Sequence, residues 1–177
     1  MLTQLTIKEL LTYDPDTGDF RWLIRSPHMF SNSKGYAERS RKTWNVNFAG
    51  KSAGTVDKEG YILIVINYVS YKAHHIAWCY MTGEWPKDQI DHKDTDEGNN
   101  RWLNLREANN SQNHANINVP ITNKLGVKGV SVCGRGFQAR IKKKGKTIYL
   151  GWFTTKEAAS IKYQEAAQEI YGEFARA

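Results

Sequence analysis

The run Tyr61-Ile62-Leu63-Ile64-Val65-Ile66 constrains the fold more than any other stretch of this chain. It is rich in β-branched residues and has no polar face, so it predicts a core strand covered on both sides. A turn at Asn67-Tyr68 returns the chain through Val69 to Ala73. Ile76 to Met81 then reads as a helix stopped by Gly83, with Pro86 beyond. The order strand, hairpin, helix leads directly into Ile90-Asp91-His92, and the expected class is α+β.

Asp91-His92 is followed by Asn99-Asn100-Arg101-Trp102-Leu103-Asn104-Leu105-Arg106 and then Gln112-Asn113. Hydrolysis of a phosphodiester needs a nucleophile formed near neutral pH and positive charge beside the leaving oxygen. A neutral histidine supplies the first and a divalent metal the second. Hard cations such as Mg²⁺ take oxygen ligands and keep several waters, so one carboxylate and one amide oxygen suffice as protein ligands. Asp91 and Asn113 fit that requirement, and His92 is placed to take a proton from the attacking water. Neighbouring strand residues point oppositely, so the pair can act together only where the strand ends or bends. Lys93, Arg101 and Arg106 are either phosphate clamps or ordinary surface charge. Asp94, Asp96 and Glu97 lack the spacing of a calcium loop and read as solvated loop carboxylates.

Upstream, Thr6 to Leu11 has helical spacing, with Thr6 and Glu9 at capping-box separation. Asp14 to Asp19 is turn chemistry, and Phe20 to Ile24 reads as a strand. Residues 26–50 lack clear periodicity and are expected to form a long basic loop. Within it the alternation of Trp44, Val46 and Phe48 suggests the start of a strand. Downstream, Asn109 with Gln112 predicts a capped helix from about Asn110 to about Asn118, carrying Asn113.

These residues resemble the HNH endonuclease family, particularly its phage and intron-associated homing branch. The likeness runs over roughly residues 50–118, through Tyr71-Lys72-Ala73-His74, Gly83-Glu84-Trp85-Pro86 and the motif just quoted. It implies a ββα-metal core with an N-terminal helix and strand elaboration. Asp91 would bind one divalent metal, Mg²⁺ or Mn²⁺, Asn113 would complete its binding, and His92 would be the general base. Asn104 matches the middle asparagine, which braces the loop between strand and helix. His114 lies one residue past the last motif position. His74 matches a family histidine, and His75 stands where an arginine usually follows; His74 is expected to pack at the strand-helix junction.

The 54 residues from Lys124 onward carry 11 Lys or Arg against 4 Asp or Glu, and the first 123 residues carry 14 of each. The whole surplus of 7 therefore sits in the last third, as suits a segment that meets a polyanion. Gly126 to Val132, Phe137 to Lys142 and Thr147 to Phe153 read as three short strands, with a turn at Lys144-Gly145 and an amphipathic helix from Thr155 to Tyr171. Phe137, Ala139 and Ile141 alternate with Gln138, Arg140 and Lys142, giving one packed and one donor-bearing face. Trp152 and Phe153 are expected in the core. Residues 123–177 resemble the AP2 DNA-binding domain. That likeness implies a three-stranded antiparallel sheet reading the major groove, backed by one helix, with contacts at the positions of Lys128, Arg135, Gln138, Arg140, Lys142 and Tyr149. The lysines at 142–144 and 146 suit phosphate contacts.

The expected organisation is a nuclease domain at 1–118, a linker at 119–123 and an AP2-like domain at 124–177. Two cysteines, Cys79 and Cys133, are too few for a disulfide framework or a four-cysteine zinc site, and no zinc is expected. The start of the chain shows no signal peptide and no run is long enough to span a bilayer. A soluble protein in the cytoplasm of a bacterial or phage-infected cell is expected, with double-stranded DNA as partner and no membrane. The expected activity is metal-dependent endonuclease cleavage of the homing type, leaving 5′-phosphate and 3′-hydroxyl ends. The alternatives are a non-catalytic DNA-binding regulator on an HNH scaffold, and an RNA-binding or RNA-cutting protein. Oligomeric state stays open between monomer and homodimer.

Overall fold

A computed structural model describes residues 2–30 and 36–176. Contacts divide the chain into two compact units, Met1–Arg106 and Glu107–Ala177.

In the first unit, α1 (Gln4–Leu10) is capped by Thr3, whose hydroxyl accepts the Thr6 N–H at 3.2 Å. The cap is therefore three residues earlier than the Thr6-Glu9 spacing suggests. β1 (Leu11–Tyr13) and β2 (Phe20–Trp22) form an antiparallel hairpin across the Asp14–Asp19 turn. β1 was not expected, because its three residues continue a helical pattern and only the turn and partner reveal them as a strand.

The long loop expected at 26–50 is largely a helix, α2 (Ala37–Phe48); residues 31–35 of it lie outside the described residues. Trp44 and Phe48 stack at 5.3 Å one turn apart, while Val46 between them is exposed. The i,i+4 pair decides the outcome over the period-2 alternation, and Glu38 pairs with Arg41 in the first turn.

β3 (Thr55–Val56), β4 (Ile62–Ile66) and β5 (Val69–Lys72) form an antiparallel sheet in that order. Asn67 and Tyr68 both have positive φ, the backbone of a two-residue hairpin turn that matches strand twist. Ile64 and Ile66 are buried, but Val65 is 56% exposed, so the sheet is covered on one face only. This corrects the expectation of a strand buried on both sides. α3 (Ala73–Thr82) follows, longer than its apolar stretch, and ends at Gly83 with φ 90°. Ile7, Leu11, Phe20, Ile64, Ile66, Ile76 and Cys79 share the core. β6 (Gln89–His92) pairs with β7 (Leu105–Ala108), and the division between units falls inside β7.

In the second unit, α4 (Asn110–Asn116) has the anticipated capping box of Asn109 and Gln112. β8 (Val130–Cys133), β9 (Gly136–Lys143) and β10 (Lys146–Phe153) form an antiparallel sheet in the order 10-9-8, and α5 (Lys156–Tyr171) begins after the Thr155 cap. Ala139 and Ile141 are buried with Ala159, Ala166 and Ala167 of α5. The Lys128 ammonium donates to the carbonyls of Ala115 and Arg176 at 2.7 and 2.8 Å. Those contacts tie α4 to the C-terminal end within the second unit.

Among the described residues no helix is long and apolar enough to cross a membrane.

Candidate active site

β6 ends at His92, and Asp91 and His92 are 4% and 5% exposed. Both faces of the strand are thus enclosed at its end. The Asp91 Oδ2 accepts two N–H bonds from Arg106, from Nε at 2.9 Å and from the terminal nitrogen at 2.8 Å. Arg106 is accordingly neither a solvent-facing charge nor an open phosphate clamp. It neutralises the buried carboxylate and fixes its orientation.

His92 sits against two rings, His74 and Tyr61, and the Asn100 amide. His74 lies 4.9 Å away centroid to centroid, edge to face, Tyr61 lies at 6.3 Å, and His74 in turn touches His75 at 4.5 Å. Burial is the main force pushing His74 down to about 2, with His75, His92 and Lys72 adding to it. His75 is lowered in the same sense, first by burial and then by Lys72 and His92. His74 is therefore a neutral packing ring at the start of α3, as its position suggests. The His92 Nε2 is 3.3 Å from the Asn100 Oδ1, and the Asn100 Nδ2 donates to the Gly98 carbonyl. With the amide oriented in this way its oxygen faces the imidazole, an arrangement that favours hydrogen on Nε2.

The loop after β6 is a closed hydrogen-bonded unit. Asn104 donates from Nδ2 to the Asp94 Oδ1 at 2.9 Å and to the Asn99 carbonyl at 2.8 Å, and its Oδ1 accepts the Asp94 N–H at 3.2 Å. Asp94 also accepts from the Asn99 side chain and the Asp96 N–H. Asn104 is thus a brace of this loop. Asp94 is its hub and stays exposed, as expected of a loop carboxylate. Lys93 donates to the Leu103 carbonyl and Arg101 is exposed.

Two supports were not legible beforehand. Asn100 is 1% exposed and holds His92, yet in sequence it is one of many asparagines in a turn. The Tyr13 hydroxyl donates to its carbonyl at 2.6 Å, and the Trp102 N–H donates to Pro15 at 2.9 Å. The β1–β2 hairpin therefore buttresses the site loop from 87 residues away, a pairing that no local pattern signals.

Asn113 lies on α4, half-buried in the second unit. On the sheet of that unit, Arg140 donates to Gln138 at 2.9 Å and Gln138 to Ser131 at 3.0 Å, so these side chains share the face away from α5. Arg135, Lys142 and Tyr149 are exposed. Lys128 is half-buried on its two carbonyls, and burial brings its ammonium down to about 8. Trp152 is 48% exposed beside Gln138, with its indole N–H on the Cys133 carbonyl, which corrects its expected core position. A bulge between Tyr149 and Gly151 shifts the register there. Phe153 does pack into the core.

Residues 71–115 match the family model for HNH endonuclease. This HNH segment contains Asp91, His92, Asn104 and Asn113 and crosses the division between the compact units. A protein of Acanthamoeba polyphaga mimivirus described as an uncharacterized HNH endonuclease is 36% identical over 94 residues, 52% of this chain. The chain spans about half the length of that relative, 49%. No solved structure matches the chain.

The donor chemistry of the HNH segment suits a hard dication. Asp91 is a buried carboxylate already partnered by a cation, and Asn113 is an amide. Among the described residues no three His, Cys, Asp or Glu gather as a metal cage.

Proposed function

We propose that the protein is a metal-dependent DNA endonuclease of the homing type. The observation that carries this reading is the buried Asp91-His92 pair at the end of β6, with His92 oriented by Asn100, inside a segment that matches HNH endonucleases. His92 takes the proton of the attacking water at Nδ1, while Asn100 holds Nε2 and keeps the ring in that tautomer. A base this enclosed meets solvent through a small part of its ring, which favours a water delivered with the substrate over bulk solvent. Asp91, and Asn113 by its place in the motif, would hold one Mg²⁺ or Mn²⁺. A bound dication supplies charge stabilisation at the phosphorane and the departing 3′ oxygen. Asn104 acts through the loop and touches no reactant.

Targeting to duplex DNA is assigned to the AP2-like sheet of the second unit. The exposed Arg135, Arg140, Lys142 and Tyr149 and the half-buried Gln138 are the contacts favoured by their placement, and the adjoining lysines neutralise phosphates. Lys128 is the weakest of the six positions, because its ammonium serves two backbone carbonyls.

The Asp91–Arg106 ion pair favours, on its own, a second reading. It gives the carboxylate a structural use, as in a DNA-binding protein that keeps the scaffold without the chemistry. Asp91→Asn separates the two. Under the nuclease reading it loses at least about 100-fold in single-turnover cleavage of a mapped duplex while binding that duplex normally. Equal cleavage by the variant removes Asp91 from the reaction.

A further inference from the structure

The first unit is nearly neutral in sum, but its charge is separated. Residues 20–56 carry seven Lys or Arg against the single Glu38, so the remainder of that unit is acidic. β2 and α2 of this basic stretch, together with the β3–β4–β5 sheet, line an open groove of about 700 Å³. Its walls include Trp22, Arg25, Phe30, Trp44, Phe48 and Tyr68. Tyr68 stands fully exposed at the tip of the β4–β5 hairpin, and Phe48 and Val65 are also open to solvent. The Arg25 guanidinium lies 3.9 Å over the Trp44 ring and 5.3 Å from that of Trp22. Its Nε is buried with no hydrogen-bond partner. Lys51, just past α2 and next to groove residue Ser52, is exposed.

An aromatic groove in a neutral or acidic surround would suit an apolar peptide. Here the surround is basic, which selects a polyanion. A DNA duplex presents phosphates but keeps its base faces stacked inside. Aromatic walls with an arginine between them match bases that are unstacked, with phosphates left for the cations outside. We infer that this groove binds a single-stranded stretch of DNA, its bases stacking on Phe48, Tyr68 and the Arg25–Trp44 pair and its phosphates meeting Lys51. That the strand is DNA rests on the nuclease reading; the groove and its charge do not. Such a surface would hold an unpaired strand independently of the sheet in the second unit.

The test uses the full chain in EDTA, so binding is read without cleavage. The probes are a 5-iodouracil-substituted single-stranded DNA, the RNA of the same sequence, and the duplex. The expected result is photocrosslinks at Trp22, Trp44, Phe48 or Tyr68 with the single-stranded DNA. In addition, Tyr68→Ala combined with Lys51→Glu should weaken single-strand binding about tenfold while duplex affinity and thermal midpoint stay at wild type. Both substituted side chains are exposed, so folding is preserved. Crosslinks confined to residues 124–177, an equal loss for duplex, tighter binding of RNA than of DNA, or a sedimenting dimer that the double variant dissociates would each overturn the inference. Cleavage in Mg²⁺ is scored separately, so loss of one result leaves the other standing.

Discussion

Arg106 and His74 show how single residues set the terms on which the site exists. Removing one partner of a buried ion pair leaves an uncompensated charge, so Arg106→Ala should cost about 3 kcal/mol in metal-free protein. Under the proposed metal role, Mg²⁺ replaces part of the lost positive charge. Urea titrations with and without Mg²⁺ should therefore show a larger metal-induced gain for Arg106→Ala than for wild type; an equal gain would detach Asp91 from metal binding. His74 governs the response to acid. It remains neutral in the folded protein down to about 2, whereas the unfolded chain takes up its proton near 6.5. Between these values the unfolded state binds more protons, so this contribution is complete above about pH 6.5 and declines as pH falls. At pH 5 it amounts to a loss of about 2 kcal/mol. His74→Asn should flatten the difference between urea midpoints at about pH 7.5 and about pH 5, and an unchanged slope would show that His74 is protonated at little cost. Asp91, His92, Asn104 and Asn113 stand out in the sequence as candidates because their spacing is local. Asn100 was not, since its importance comes from a contact with His92 and one with Tyr13, and neither leaves a periodic trace.

Among the elements, the N-terminal hairpin has the least expected part. Its Gly18 has φ +81°, and a Cβ there would lie 2.6 Å from the backbone of Asn100 and Arg101. Gly18→Ala should thus both strain the turn and push on the residue that orients His92. A destabilisation of about 1–3 kcal/mol is expected, with a fall in cleavage rate persisting at temperatures where the variant is fully folded. Normal cleavage by the folded variant would show that the hairpin supports stability alone. Capped or turn-bounded elements were readable ahead of the structure: α4 from Asn109 and Gln112, the β4–β5 turn from Asn67-Tyr68, the end of α3 from Gly83. α2 was misread because Trp44, Val46 and Phe48 satisfy a two-residue period, and only the stacking of Trp44 on Phe48 and of Arg25 on Trp44 shows which period folds. The exposure of Val65 has the same origin. Six apolar residues do not reveal which face remains uncovered, and in this chain that face opens on the aromatic groove.

Across the whole molecule, the charge division near Lys124 suggests that a chain cut there would lose site selection before it loses the chemistry. The contacts of α4 argue otherwise. Lys128 and Arg176 both bond to the Ala115 carbonyl, so truncation after Lys124 removes supports of the helix that carries Asn113. Such a truncation should lose cleavage of any DNA together with site selection, and limited proteolysis should then cut at α4. Retained non-specific cleavage by the truncated chain would show that α4 holds without them. The central claim is that the enclosed His92 is the base of a metal-dependent DNA endonuclease, and conversion of supercoiled plasmid to nicked or linear forms tests it most directly. Wild type should cut with Mg²⁺ or Mn²⁺ and stop in EDTA, and His92→Ala should be slower by about 100-fold or more. A wild-type protein inert with every divalent metal, or a His92→Ala variant that cuts as fast as wild type, would contradict it.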